Sequence, residues 1–223
     1  MKIICLNYYG QVRDTNITRN TYNKFIQGDN EYHIIFTTWN NENTTDFETL
    51  FPSSYIKKFE IPNIDDYSGY VKNIVVDHTN PHKSIQHVIY GLYIKKMSYN
   101  TIEEYENIHN IKFDFIISLR TDVYLNKNLN VFYDYIDQNL NDNVVFVASE
   151  PKFDVYCQSA LPDVLCISNK FVMKKMLNQL DSLDKCLLLN SNQFHPETSF
   201  CKYINFMNLK WCELHLKAFP QPV

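Results

Sequence analysis

Glycine is nearly missing. The 223 residues hold only Gly10, Gly28, Gly69 and Gly91. A P-loop and a G-x-G-x-x-G dinucleotide turn both need clustered glycines, which excludes P-loop kinases and NAD enzymes built on that turn. Arginine is almost as scarce: against 18 lysines stand only Arg13, Arg19 and Arg120. Arginine offers a rigid bidentate fork for phosphate or carboxylate that lysine lacks, so the few positions that keep it draw interest. No apolar run approaches the ~20 residues of a membrane span. The stretch Met1–Asn7 is too short for the core of a signal peptide. The expectation is a soluble protein without a transmembrane segment, not exported, in the cytoplasm. The six cysteines form no C-x-x-C pair, and in a chain of this size they read as reduced, mostly buried thiols. Without secretion, the sequons at Asn16 and Asn43 carry no meaning. A net charge of −4 with no basic cluster or acidic tail argues against nucleic acid or an anionic membrane as partner.

What is present is a substantial core. Residues that are 45% hydrophobic and 15% aromatic describe a globular protein, and the length suits one domain over 1–223. Abundant Asn, Ile, Lys and Tyr point to an AT-rich genome.

The chain is organised around Phe113–Asp122. Its apolar run from Phe115 to Leu119 has no alternation, which is the mark of a strand buried on both faces. The run ends in Arg120 and Asp122, two residues apart and on one side of the strand, with Thr121 facing the other way. Ligands of open α/β sheets gather at the carboxyl ends of such strands. The plainer reading is a strand-end ion pair.

Other elements fall in alternation. Strands are expected at 2–7, 31–38, 56–61, 144–148, 164–167 and 209–216. Helices are expected at 15–27, 82–98, from Thr101 onward (Thr101–Glu104 has capping-box spacing), at 129–140, 169–180 and from Pro196. The polar stretch 62–81 reads as a long loop. Strands alternating with helices make the class α/β with a mostly parallel central sheet.

Three strand ends then share one property, polar groups directly after apolar residues: Gln11/Arg13, Thr38/Trp39 and Arg120/Asp122. Together they would supply an aromatic for a base, cations for phosphates and a carboxylate for a divalent metal, Mn²⁺ or Mg²⁺. Trp39 read as a core aromatic, and Arg13 as a surface charge, are the bland counterparts. A second group is Asp163 and His195–Glu197. A carboxylate there either caps a helix or, facing the cleft, takes the proton of an acceptor hydroxyl. His195 has no partner at ligand spacing, and Asp65–Asp66 reads as solvated turn residues.

The ordered series Gly10-Gln11-x-Arg13, Thr38-Trp39, a long helix carrying Gln86, Phe113–Asp122, Pro162-Asp163 and Pro196–Phe200 resembles the small GT-A-like glycosyltransferases of surface-polysaccharide synthesis found in bacteria and giant DNA viruses. It spans about residues 2–207. The resemblance implies a single GT-A-like Rossmann-type domain, a nucleotide-sugar donor and a glycan acceptor, in the host cytoplasm if the source is viral. It places Arg120-Thr121-Asp122 where the family carries its metal-binding D-x-D, with Asp122 as the last carboxylate. Here Arg120 replaces the first acid, so a cation stands where the family has a metal ligand. It also places Glu197 where inverting members carry their base. Gln11, Arg13, Thr38, Trp39, Gln86 and Arg120 would then bind the nucleotide sugar. The rivals are a nucleotidyltransferase, which usually needs a glycine-rich phosphate turn, and a non-catalytic glycan-binding or assembly protein.

Overall fold

The computed structural model describes residues 1–26, 28–71, 85–149, 164–185 and 196–220. Within those ranges, the side chains of 70, 71, 85, 149, 196–199, 201 and 215–220 are not described. The strands are β1 (Ile3–Tyr9), β2 (Glu31–Trp39), β3 (Tyr55–Phe59), β4 (Phe115–Arg120), β5 (Val123–Leu125), β6 (Val144–Ser149), β7 (Leu165–Ser168) and β8 (Lys210–Pro220). The α-helices are α1 (Thr15–Tyr22), α2 (Thr45–Leu50), α3 (Ser68–Val71), α4 (Ile85–His109), α5 (Tyr133–Asn139), α6 (Lys170–Leu177) and α7 (Pro196–Phe206).

The sheet order is β3-β2-β1-β4-β7-β6-β8-β5. β3, β2, β1 and β4 are parallel neighbours, as are β6 and β8. β7 runs antiparallel to both β4 and β6, and β5 antiparallel to β8. The class is thus the expected α/β Rossmann-type arrangement with a mostly parallel sheet.

Strand alternation distributes the core between two layers. Ile4, Leu6 and Tyr8 of β1, Phe36 of β2 and Phe115, Ile117 and Leu119 of β4 share one cluster with Phe47 of α2 and Ile136 of α5. Their neighbours Cys5, Ile35 and Ile116 share another with Tyr99 and Ile102 of α4, Met173 of α6 and Phe200 of α7. The largely apolar runs of β1 and β4, interrupted by the buried Asn7 and Ser118, follow from this cover on both faces.

The helices differ from expectation in several places: 129–140 opens as a 3₁₀ turn, Leu129–Phe132, before α5, and 169–180 stops at Leu177 with a 3₁₀ turn, Gln179–Ser182, after it. α1 ends at Tyr22 instead of 27, with Asp14 accepting from the Asn16 amide at 2.8 Å as its N-cap. The expected helices at 82–98, of which 82–84 lie outside the described residues, and from Thr101 are one continuous helix, α4. Its length is roughly 37 Å at 1.5 Å per residue. Thr101 caps nothing; its hydroxyl donates to the Met97 carbonyl at 2.8 Å, one turn back. Neither glycine nor proline lies between Leu92 and His109 to stop propagation. Part of the expected 62–81 loop is ordered as a 3₁₀ turn, Ile64–Tyr67, followed by α3. None of the described helices is long and apolar enough to cross a membrane.

Candidate functional site

The carboxyl ends of β1, β2 and β4 open onto a cleft of about 600 Å³, closed on one side by α4. That size lies inside the roughly 300–1,000 Å³ usual for small-molecule sites. Parity decides which strand-end residues face it. Tyr9 shares the α4 side with Cys5, and Arg120 shares it with Ile116; the two are Cα partners across the β1–β4 ladder. Trp39 has the same parity as Ile35. All three line the cleft.

Beyond β1 the chain turns sharply. Gly10 adopts φ +96°, a conformation that disfavours any side chain, and its amide donates to the Thr37 carbonyl at 3.0 Å. The turn delivers Gln11 and Arg13 to the cleft rim. Two threonines then tie this loop to the β4 end. The Thr121 hydroxyl donates to the Gln11 carbonyl, and the Thr18 hydroxyl donates to the Thr121 carbonyl at 2.7 Å. Thr121, expected to face away from its two neighbours, lines the cleft beside them and serves as the tether.

The tether brings Arg13 against Asp122. Arg120 Nε and Nη2 donate to Asp122 Oδ1 and Oδ2 at 3.0 and 2.7 Å, and Arg13 Nη1 lies 3.2 Å from Oδ2. The Asp122 side chain is 2% exposed, whereas those of Arg120 and Arg13 keep 33% and 38%. A buried carboxylate thus holds two half-exposed guanidinium groups in place, the ion pair of the plainer reading extended by a second arginine.

The far wall comes from α4. Lys95 is only 8% exposed and lines the cleft. Its Nζ lies 5.8 Å from the Tyr9 ring centroid and 5.9 Å from that of Phe200, within cation–π range. Its backbone is anchored by a buried polar chain. Asn7 Nδ2 donates to Ser98 Oγ at 3.2 Å and to Ser118 Oγ at 2.9 Å, and the Ser98 hydroxyl donates to the Lys95 carbonyl at 2.7 Å. This chain spans β1, β4 and α4 and fixes the height of Lys95 above the strand ends. Gln179, 3% exposed, also lines the cleft, and its Nε2 has no hydrogen-bond partner among the described residues.

No protein-family model matches this chain, and no curated protein matches it. Its fold is similar to that of mouse xyloside xylosyltransferase 1, apo form. The TM-score is 0.48 at 10% sequence identity, covering 96% of this chain and 84% of that one. What the cleft can do is therefore read from its own residues.

Five of the expected binding residues meet in the cleft: Gln11, Arg13, Trp39, Arg120 and Asp122. Trp39 is also a core aromatic. It is 7% exposed, stacked on Tyr93 and edge-on to Tyr90, so only a margin of it meets the cleft. Thr38 does not line the cleft, since alternation turns it to the α1 and α2 side, where it is wholly buried. Both threonine and tryptophan lie inside β2, not after it. Gln86 is exposed on the first turns of α4, outside the lining, and donates to the Tyr90 hydroxyl at 2.5 Å. Asp163 and His195 lie outside the described residues. Glu197 sits in the first turn of α7, its side chain likewise not described. Phe200, three residues on, packs beside Lys95. Lys95, Tyr9 and Gln179 escaped the sequence reading.

The expected ligand for a divalent ion is Asp122. Both carboxylate oxygens are engaged by guanidinium groups. Among the described residues no three His, Cys, Asp or Glu side chains group as metal ligands.

Proposed function

We propose that the chain is a GT-A-like glycosyltransferase that moves a sugar from a nucleotide-sugar donor to a hydroxyl of a glycan acceptor. One observation carries this reading. Cations (Arg13, Arg120, Lys95) and aromatic rings (Tyr9, Trp39, Tyr90) stand side by side in one cleft at the ends of neighbouring parallel strands. A ligand with anionic groups joined to flat or apolar rings answers both, and a nucleoside diphosphate sugar is such a ligand. The order of motifs along the chain supports the same assignment.

In the proposed step the acceptor oxygen bonds to the anomeric carbon as the bond from that carbon to the diphosphate oxygen breaks. The electron pair leaves with the nucleoside diphosphate, so negative charge grows on the leaving oxygen. Cations already fixed in place stabilise that charge without reorganising. The acceptor proton goes to a carboxylate. Glu197 is the proposed base, on the resemblance that puts it where inverting members carry theirs, with Asp163 as the alternative.

Product analysis tests the reading. Incubation with a panel of nucleotide sugars and glycan acceptors is expected to release nucleoside diphosphate in step with glycoside formation. Release of pyrophosphate would assign a nucleotidyltransferase instead. Glycan binding with no nucleotide turnover would assign a non-catalytic glycan-binding protein.

A further inference from the structure

We propose that the cleft binds the donor's diphosphate through Arg13, Arg120 and Lys95 without a divalent metal, Asp122 serving to position the two arginines. The inference rests on the nucleotide-sugar reading and goes beyond it in naming what neutralises the diphosphate.

Charge is the first ground. The described side chains lining the cleft include three cations and one carboxylate. Among these four the formal excess is two positive charges, on a chain whose formal net charge is −4. A concave patch of sign opposite to the whole molecule concentrates anions locally. A diphosphate meets the described cations directly, whereas a divalent cation would meet them as like charges.

Donor chemistry is the second. A carboxylate ligates a hard cation through its oxygens. Those of Asp122 accept the Arg120 fork at 3.0 and 2.7 Å and approach Arg13 at 3.2 Å. Metal binding there would have to displace guanidinium groups from a side chain 2% exposed. The same geometry suits a positioning carboxylate well: a fork pinned from behind points in a fixed direction, and bidentate guanidinium groups match phosphate oxygens.

Lys95 is the third. It comes from α4, whereas Arg120 ends β4 and Arg13 follows β1, so the three cations reach one cleft from separate elements of the fold. Its carbonyl is tied through Ser98 and Asn7 to β1, and its Nζ lies 5.8 and 5.9 Å from the ring centroids of Tyr9 and Phe200. Lysine supplies a compact point charge where arginine supplies a fork, a pairing suited to the two phosphoryl groups of one diphosphate.

Equilibrium titration decides the matter, with UDP, GDP and inorganic pyrophosphate as probes, each in EDTA and in Mn²⁺, on wild type, Lys95→Met, Arg120→Gln and Arg13→Gln. Arg13 is half-exposed, so its variant folds even if a buried replacement at 95 does not, and melting curves identify any variant that fails to fold. At least one nucleoside diphosphate is expected to bind in EDTA within about threefold of its affinity in Mn²⁺. Each folded variant is expected to lose about tenfold or more, the scale of a charged hydrogen bond. Binding that requires Mn²⁺ overturns the inference while leaving the donor reading intact. Metal-free binding that is unaffected in all folded variants overturns the three-cation assignment. No binding by any probe in either buffer overturns the inference together with the donor reading.

Discussion

Arg120 and Asp122, two residues apart on one side of the chain, close a two-point fork: Nε to Oδ1 at 3.0 Å and Nη2 to Oδ2 at 2.7 Å. The carboxylate is buried and the guanidinium half-exposed, so the pair is an oriented cation more than a neutral bridge. Asp122→Asn keeps the shape and removes the charge. Two guanidinium groups then lose their partner but regain water. The expected cost is about 1–2 kcal/mol, below that of a fully buried pair, or roughly 2–4 °C in Tm per kcal/mol. Thermal denaturation checks it, and an unchanged Tm would remove Asp122 as anchor. Arg120→Lys keeps the charge without the fork and is not expected to restore nucleotide binding.

Asn7 is fully buried and bonds Ser98 and Ser118 together. Asn7→Ala leaves both hydroxyls short of a donor in the core. The expected loss is about 1–3 kcal/mol, read as a fall in denaturant midpoint. Because Ser98 in turn holds the Lys95 carbonyl, nucleotide affinity should fall with it. A variant with lowered stability but wild-type affinity would separate Asn7 from the site.

Tyr8 carries the opposite expectation. Its ring packs edge-on to Phe47 and stacks with Phe51, while its hydroxyl has no partner among the described residues. Burial pushes the phenol well above its usual value. Tyr8→Phe keeps the ring and removes an unsatisfied group, so stability should stay level or rise by up to about 1 kcal/mol. A clear fall would mean the hydroxyl has a partner.

Glu104 gives a pH dependence. Hydrogen bonds from Lys57 and then from Tyr55 hold its carboxyl below the usual value. A depressed folded-state value contributes stability that is present above the unfolded carboxylate pKa of about 4.3 and is lost as pH falls through the lower folded value. The Tm difference between wild type and Glu104→Gln should be widest near neutral pH and shrink as pH falls below the unfolded value and through the lower folded one. A difference constant across that range would exclude the linkage.

Much of this fold was legible in the sequence because apolar pattern encodes burial. Phe115–Leu119 is fully buried, as an unalternating run requires. Strand parity, applied further, also separates Trp39 from Thr38, and treating the two as one polar strand end hid that. Direction is less visible: nothing in the residues of β7 announces that it runs against β4. β5 has three residues, too few for a period. The capping-box spacing at Thr101 misled because the hydroxyl found a carbonyl one turn back instead of a free amide. Lys95 did leave a signal. It falls on the buried stripe of α4 with Leu92 and Tyr99, where a charge is costly without a purpose, but a helix reading alone does not say what stands opposite.

The most direct measurement is a thermal-shift screen of wild type and Arg120→Gln against UDP, GDP, CMP and dTDP. A ligand at 100 times its Kd adds about 2.7 kcal/mol, or roughly 5–10 °C for a chain of this length. The account predicts such a shift with at least one nucleotide in wild type and a much smaller one in Arg120→Gln. No shift with any of the four, or an equal shift in the variant, would contradict a nucleotide site at the end of β4.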